Sequence, residues 1–161
     1  MNSMKWLTED EQATWRAFLH ATTLLEDHLD RQLQRDAAMP HMYYALLSTL
    51  SETPGRRMRM TELAECTKIT RSRLSHAVAR LERNGWLRRE NCPSDRRGQV
   101  AVLTDAGYEE VVRTAPGHVA AVRAALFDRL TPEQTRRLGE ISRIIAEGLH
   151  QPEGADLPWL R

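Results

Sequence analysis

Apolar side chains recur every three or four positions over most of this chain, which is the spacing of one buried face of an α-helix. Long patterns of this kind cover residues 8–34, 40–51, 104–129 and 132–149. Thr8 and Glu11 form a capping box at the start of the first pattern. Pro40 suits the first turn of the second, and the Thr-Pro-Gly sequence of residues 53–55 ends it. The chain is therefore predicted to be mainly helical.

Two shorter helices and a β-hairpin are predicted in the middle of the chain. Residues 61–67 and 70–84 have helical patterns, with Thr70 as an N-cap and Asn84-Gly85 as a left-handed stop. The runs WLRRE and QVAVLT flank a Pro/Ser/Gly turn at residues 92–98. A helix, a turn, a second helix and a hairpin in this order predict a helix-turn-helix with a wing.

Charge separates this central segment from the rest of the chain. The net charge is +1, but residues 55–99 hold 12 Lys and Arg against 5 Asp and Glu, which leaves 11 against 17 elsewhere. A basic block within an acidic frame is typical of modules that bind polyanions, because each neutralised phosphate releases condensed counterions. The alternative is a basic surface that is simply solvated.

The second helix of the helix-turn-helix has the composition of a recognition helix. At about 100° per residue, Leu74, Val78 and Leu81 share one side and the opposite side is short, polar and basic. Small polar residues let a helix enter the major groove, about 12 Å wide, where Arg pairs with guanine O6 and N7. The candidate DNA contacts on this helix are Thr70, Arg71, Ser72, Arg73, Ser75, His76 and Arg80.

The stretch RMTELAECTKITRSRLSHAVARLERNGWLRRENCPSDRRGQVAVLTDAG resembles the winged helix-turn-helix of the MarR family of bacterial regulators. The most specific positions are Asp95 and Arg97, followed by Leu103-Thr104 and Gly107. Chain length and helix order agree with the family over nearly the whole sequence, and the tail after Leu149 departs from it.

The resemblance implies a six-helix, mainly α protein with a small β-wing and a helical dimerisation domain. Its expected parts are a dimerisation domain of residues 1–38 and 104–150, a winged helix-turn-helix of residues 39–103 and a flexible tail of residues 151–161. It also implies a homodimeric repressor of a pseudo-palindromic operator in double-stranded DNA. In the wing, Arg97 would enter a minor groove, Asp95 would hold its guanidinium, and Arg96 would contact a phosphate.

Helix length points to dimerisation independently of the family. A helix over residues 8–34 is about 40 Å long at 1.5 Å per residue, more than the small basic domain covers. Its apolar stripe and those of residues 104–129 and 132–149 can bury one another across a two-fold axis. Two recognition helices related by that axis would read an inverted repeat. The alternative is a monomer in which these helices cover each other.

A small-molecule effector is a second implication of the resemblance. Family members bind small, often aromatic, anionic ligands between the dimerisation helices and the DNA-binding lobe. The candidate lining residues are Trp15, Phe18, His41, Tyr43 and Tyr44. The alternative is that these aromatic residues only pack in the core or at an interface.

Two other functions stay open from sequence. A redox-sensing regulator would use Cys92, whose neighbours Arg88, Arg89 and Arg96 would lower its thiol pKa, whereas Cys66 is expected to pack as a small apolar residue. A winged helix that binds only protein is the other alternative, and the basic wing argues against it.

Several classes are disfavoured by the absence of their patterns. The chain has no run of about 18 apolar residues and no signal peptide, so a cytoplasmic protein is expected. No GxSxG, phosphate loop or HExxH motif suggests an enzyme, and no cofactor is expected. His20 and His28 are eight residues apart without a third clear ligand, so no metal site is expected.

Overall fold

The computed structural model describes residues 5–92 and 95–149, apart from the side chains of residues 95–97. Within those ranges the chain forms six helices and a three-stranded sheet, which confirms the predicted winged helix-turn-helix fold. The helices are α1 (Glu9–Ala37), α2 (His41–Glu52), α3 (Met60–Thr67), α4 (Arg71–Arg83), α5 (Asp105–Ala125) and α6 (Pro132–Leu149). The strands are β1 (Arg57–Arg59), β2 (Leu87–Cys92) and β3 (Asp95–Leu103).

Helix α1 is fixed at its start by its own cap, and it packs on the rest of the protomer from about the middle of the helix onward. Thr8 N donates to the Glu11 carboxylate at 2.7 Å and Glu11 N donates to Thr8 Oγ1 at 3.2 Å, which confirms the capping box. Its buried residues are Leu29, Gln32 and Leu33. The N-terminal half therefore projects from the domain with its apolar side chains uncovered.

The sheet is antiparallel with strand order β1-β3-β2. Strand β1 was not predicted, because an Arg-Met-Arg segment of three residues is too short to show alternation and forms only by pairing with the edge of β3. Cys92 pairs with Asp95, so the predicted turn of residues 92–98 was too long. Residues 93–94 lie outside the described part of the chain.

One apolar core joins the helix-turn-helix to the long helices. Its fully buried side chains include Leu33 of α1, Leu47 of α2, Leu63 of α3 and Leu81 of α4. Val111 of α5 belongs to the same cluster. The core thus crosses the expected boundaries at residues 38 and 104, and the division into domains stays a prediction.

The start of α5 is locked onto the turn between α4 and β2. Thr104 N donates to the Trp86 carbonyl at 3.1 Å, and Thr104 Oγ1 donates to the Gly85 carbonyl at 2.7 Å. The same hydroxyl accepts from Gly107 N at 3.0 Å and so caps α5. A Cβ atom on Gly107 would lie 2.7 Å from Leu103 Cδ1 and still closer to the Trp86 carbonyl oxygen. Only glycine allows this approach.

A second tie connects α5 to the segment after α2. The guanidinium of Arg56 lies 3.6 Å from the centre of the Tyr108 ring and 3.3 Å from a carboxylate oxygen of Asp105. A cation over an aromatic face and an ion pair act on the same group. This contact holds the 3-10 turn Pro54–Arg56 against the first turn of α5.

The C-terminal helices differ from the sequence pattern in one respect. Helix α5 passes through Pro116 and ends at Ala125, earlier than the predicted residue 129, because a 3-10 turn follows in which Arg129 Nε donates to the Ala124 carbonyl at 3.0 Å.

Helix α6 has no buried residue. No described helix is long and apolar enough to cross a membrane. The tail of residues 151–161 lies outside the described residues.

Replacing Gly107 by alanine tests the lock between α5 and the α4–β2 turn. We expect Gly107→Ala to lower the free energy of unfolding by about 3 kcal/mol, because the added methyl group overlaps a backbone carbonyl that cannot move away. Thermal unfolding monitored by circular dichroism measures the change. Gly117→Ala is the matched control in the same helix, where a Cβ meets only ordinary contacts, and it should raise stability by up to about 1 kcal/mol. Equal losses in the two variants would contradict the assignment.

Candidate nucleic-acid interface

The candidate DNA-contact residues that the sequence predicts on helix α4 are all exposed in the structure. Its core side buries Leu74, Ala77, Val78 and Leu81. The exposed residues are Thr70, Arg71, Ser72, Arg73, Ser75, His76 and Arg80. Thr70 is also the N-cap, and its Oγ1 accepts a hydrogen bond from Arg73 N at 3.4 Å. The structure therefore brings these side chains together on one polar, basic surface.

Ion pairs divide the arginines of the basic block into two groups. In the sheet and its approaches, Arg56 pairs with Asp105, Arg57 and Arg88 pair with Glu90, and Arg89 pairs with Glu82. On α4, by contrast, no carboxylate of the described ranges pairs with Arg71, Arg73, Arg80 or Arg83. Among the described arginines of the block, those without a carboxylate partner are therefore concentrated on α4.

Glu90 is the centre of the neutralised group. The hydrogen bond from Arg88, together with the nearby charge of Arg57, lowers the pKa of the Glu90 carboxyl. The sequence alone provided the number of charges in the basic block, and it did not show the pairs between arginines and carboxylates. A signal was present for one of them, because Arg88 and Glu90 are two residues apart on a strand and share a face.

The wing is built by β2 and β3, and its outer end is the connection between Cys92 and Asp95. The side chains of Asp95, Arg96 and Arg97 lie outside the described residues, so their expected DNA contacts stay predictions. The backbone of β3 begins at Asp95, which places all three positions in the first residues of that strand.

A cleft of about 770 Å³ lies between α2, the α3–α4 turn and α5. Its walls include His41 and Tyr44 from α2, Lys68 and Arg73 from the helix-turn-helix, and His118 from α5. Two of the five predicted effector residues, His41 and Tyr44, thus come together here. Rings and cations on facing walls can stack a flat ligand and pair with an anion.

The other three effector candidates lie elsewhere. Tyr43 borders a separate groove beside α4, because consecutive residues on a helix are about 100° apart and Tyr44 faces the cleft. Trp15 and Phe18 stack on each other at 6.5 Å and are about half exposed on the projecting half of α1. Phe18 is about 12 Å along the helix from Glu26, the α1 residue that borders the cleft.

His118 was missed by sequence reasoning, because nothing local in the α5 pattern marks it. Its ring lies 4.6 Å from that of Tyr44 and 5.5 Å from that of His41. Burial, and then the proximity of His41, lowers the pKa of His118. Gln32 Nε2 donates to Asp36 at 2.9 Å, so Gln32 Oε1 faces His118 Nδ1 at 3.1 Å and accepts a hydrogen bond from it. His118 Nε2 is then left as an acceptor in the neutral ring.

The two cysteines are both buried and neither forms a disulfide. Burial, reinforced by Glu62 and Glu65, raises the pKa of the Cys66 thiol, which confirms it as a packing residue. Cys92 packs with Val100 and Val102, and two of the arginines expected to activate it, Arg88 and Arg89, are held by glutamates. The geometry therefore does not favour the redox alternative. Among the described residues no group of three His, Cys, Asp or Glu is placed to hold a metal ion.

The helix-turn-helix, the wing and the long helices are all shared with known proteins. A sequence model of the MarR family matches residues 39–98, the helix-turn-helix and most of the wing. The crystal structure of Sco3205, a MarR family transcriptional regulator from Streptomyces coelicolor in complex with DNA, is 70% identical and superposes with a TM-score of 0.90 over 100% of both chains. AbsC, a MarR family transcriptional regulator from the same organism, is 44% identical with a TM-score of 0.84, covering 91% of this chain and 98% of its own. The transcriptional repressor MprA of Escherichia coli is 23% identical over 86% of this chain and 77% of its own.

Proposed function

Because the chain belongs to the MarR family of transcriptional regulators, we propose that it is a sequence-specific DNA-binding repressor. In this proposal it acts as a homodimer on a pseudo-palindromic operator and is released by a small aromatic ligand. The observation that carries the proposal is the exposed face of α4, where four arginines lack carboxylate partners among the described residues, while Arg57, Arg88 and Arg89 of the sheet pair with glutamates.

The shape of α4 suits the major groove. Its 13 residues give a rod about 20 Å long whose outer face begins with short side chains, so the backbone can approach base edges closely. In this proposal Arg71 and Arg73 near its start pair with guanine, and Ser72 and Ser75 are small enough to let the helix approach the bases. At the wing, Arg97 enters the adjacent minor groove with Asp95 as its brace and Arg96 on a phosphate. Sco3205, 70% identical, was crystallised with DNA, which supports this mode of action.

A second copy of the chain is the natural cover for the apolar surface that one protomer exposes. All the described large apolar side chains that are exposed lie before residue 25 or after residue 111, outside the winged helix-turn-helix. They are Trp6, Leu7, Trp15, Phe18, Leu19, Leu24, Val112, Val119, Phe127, Ile141, Ile144, Ile145 and Leu149. Continuous apolar faces of this kind mark interfaces, and a two-fold dimer gives each face an identical partner.

The cleft beside α2 is the proposed effector site. Tyr44, His41 and His118 provide rings. Lys68 and Arg73 provide positive charge for a carboxylate, and Glu26 and Glu52 also border the cleft. Arg73 also belongs to the outward face of α4. An aromatic acid bound there would contact α2, α4 and α5 together and would shift α4 relative to the dimerisation helices. Repression follows if the unliganded dimer holds the operator and the liganded dimer leaves it.

DNA binding is tested on duplexes from around the protein's own gene, by footprinting and by mobility shift at several salt concentrations. We expect an inverted repeat to be protected, with affinity that falls steeply as salt rises. Arg73→Ala and Ser72→Ala should change which bases matter, at about 1–3 kcal/mol per lost base contact, whereas Arg97→Ala should weaken binding more evenly.

Arg123→Ala is the control for these variants, because Arg123 lies on α5 and pairs with Asp128. It should bind as the wild type does. Unchanged affinity and base preference in all three test variants would contradict the proposed DNA interface.

Dimerisation is tested on α6. Ile141→Asp places a charge in the exposed apolar face and should convert the dimer to a monomer in sedimentation equilibrium, with loss of the high-affinity operator complex. Arg143→Asp introduces the same side chain two residues further on, about 160° around the helix, and should remain dimeric. A wild-type protein that is monomeric at micromolar concentration would refute the proposal.

Effector binding is tested with a panel of small aromatic acids, salicylate and hydroxybenzoates among them. A ligand at about 100 times its Kd should stabilise the protein by about 2.7 kcal/mol and weaken the operator complex. Tyr44→Phe and His118→Gln should reduce both responses and leave operator binding without ligand intact. If no member of the panel changes either the unfolding temperature or operator affinity, the proposed ligand class is wrong.

A further inference from the structure

A second, smaller groove lies beside the C-terminal half of α4. Its volume is about 510 Å³, and it separates α4 from the junction of α1 and α2. Its polar lining residues are Gln34, Tyr43, His76, Arg80, Arg83 and Asn84. None of the described residues that line it is acidic. The groove is therefore a basic surface with neutral hydrogen-bond donors around it.

The two walls of the groove come from different parts of the chain. His76, Arg80 and Arg83 recur at helical spacing, so they form one ridge on α4. On the facing wall, α1 ends at Ala37, the C-cap Ala38 is in the left-handed conformation, and the chain then turns into α2. This turn brings Gln34 from the last turns of α1 next to Tyr43 from the first turn of α2.

The arginines of the ridge form no ion pair with the described carboxylates. In the described ranges no carboxylate pairs with Arg80 or Arg83, although the protein pairs the arginines of its sheet with glutamates. A phenol and an amide face them across the groove. Two guanidinium groups with neutral donors opposite match a group that offers only acceptor oxygens and negative charge. A guanine edge also presents two acceptors to arginine, but a phosphate adds the negative charge that two guanidinium groups can share.

We propose that this groove binds a backbone phosphate of DNA at the edge of the major groove that α4 enters. The assignment rests on the proposed function and adds to it a contact from outside the recognition helix and wing. Arg80 and Arg83 pair with the phosphate from one wall, and the Tyr43 hydroxyl and Gln34 amide donate to it from the other. Tyr43 is accordingly a DNA-positioning residue and not an effector contact. Holding the phosphate strand between α4 and α2 fixes how deeply and at what angle α4 enters the groove.

Two variants remove the contact from opposite walls. Arg83→Gln should weaken operator binding about 10- to 100-fold for all sequences and lower the slope of log affinity against log salt by about one, without changing base preference. Tyr43→Phe keeps the ring that packs on the core and removes only the hydroxyl, so a loss of about fivefold is expected. Arg123→Gln on α5 is the control and should alter neither affinity nor slope. Thermal unfolding confirms that each variant is folded.

Replacing single operator phosphates by neutral methylphosphonates identifies the partner directly. Neutralising one phosphate per half-site should weaken binding of the wild-type protein, and Arg83→Gln should show no further loss at that same position. Inorganic phosphate at millimolar concentration should not compete with the duplex for the protein. If both wall variants bind the operator with wild-type affinity and salt slope, or if Arg83→Gln changes base preference, the groove assignment is overturned alone. Failure of the wild-type protein to bind any duplex overturns the groove assignment and the proposed function together.

Discussion

The close approach of α5 to the Trp86 carbonyl is the constraint on which the rest of the architecture depends. No side chain fits at Gly107, and the Thr104 hydroxyl uses both its donor and its acceptor to join the α4–β2 turn to the first turn of α5. With the Arg56 contact to Tyr108 and Asp105, this junction makes α4, the sheet and α5 one rigid unit. The direction of the exposed apolar helices is thereby fixed relative to the basic face of α4.

The allocation of acidic partners is the second organising feature. Glu82 and Asp105 each pair with one arginine, and Glu90 is shared by Arg57 and Arg88. All these pairs lie in the sheet and its connections, where a fixed geometry is needed. Exposed pairs of this kind contribute little stability each, and their main effect is to fix side-chain positions. The arginines of α4 have no such partners within the described ranges, so their charge remains available to an external anion.

Much of the fold was predictable because its signals are local. Helical spacing, the caps at Thr8 and Thr70 and the hairpin runs follow from short stretches of sequence, and the structure has all of them. The features that were missed depend on neighbours distant in the chain. Strand β1 exists because β3 offers an edge, and His118 belongs to the cleft because α5 packs on α2. Tyr43 and Tyr44 were grouped together because they are adjacent, although a helix sends adjacent side chains in different directions.

Because Tyr43 and Tyr44 lie on the same short helix, a movement of α2 displaces both rings. Tyr44 touches His118 in the effector cleft, and its neighbour Tyr43 borders the groove beside Arg80 and Arg83. At a radius of about 6 Å, a roll of α2 by about 20° moves both rings by about 2 Å. That distance exceeds the range of roughly 0.5 Å over which a hydrogen bond keeps good geometry. A roll of α2 about its own axis would therefore displace the ring in the cleft and the ring beside Arg80 together, within a single protomer.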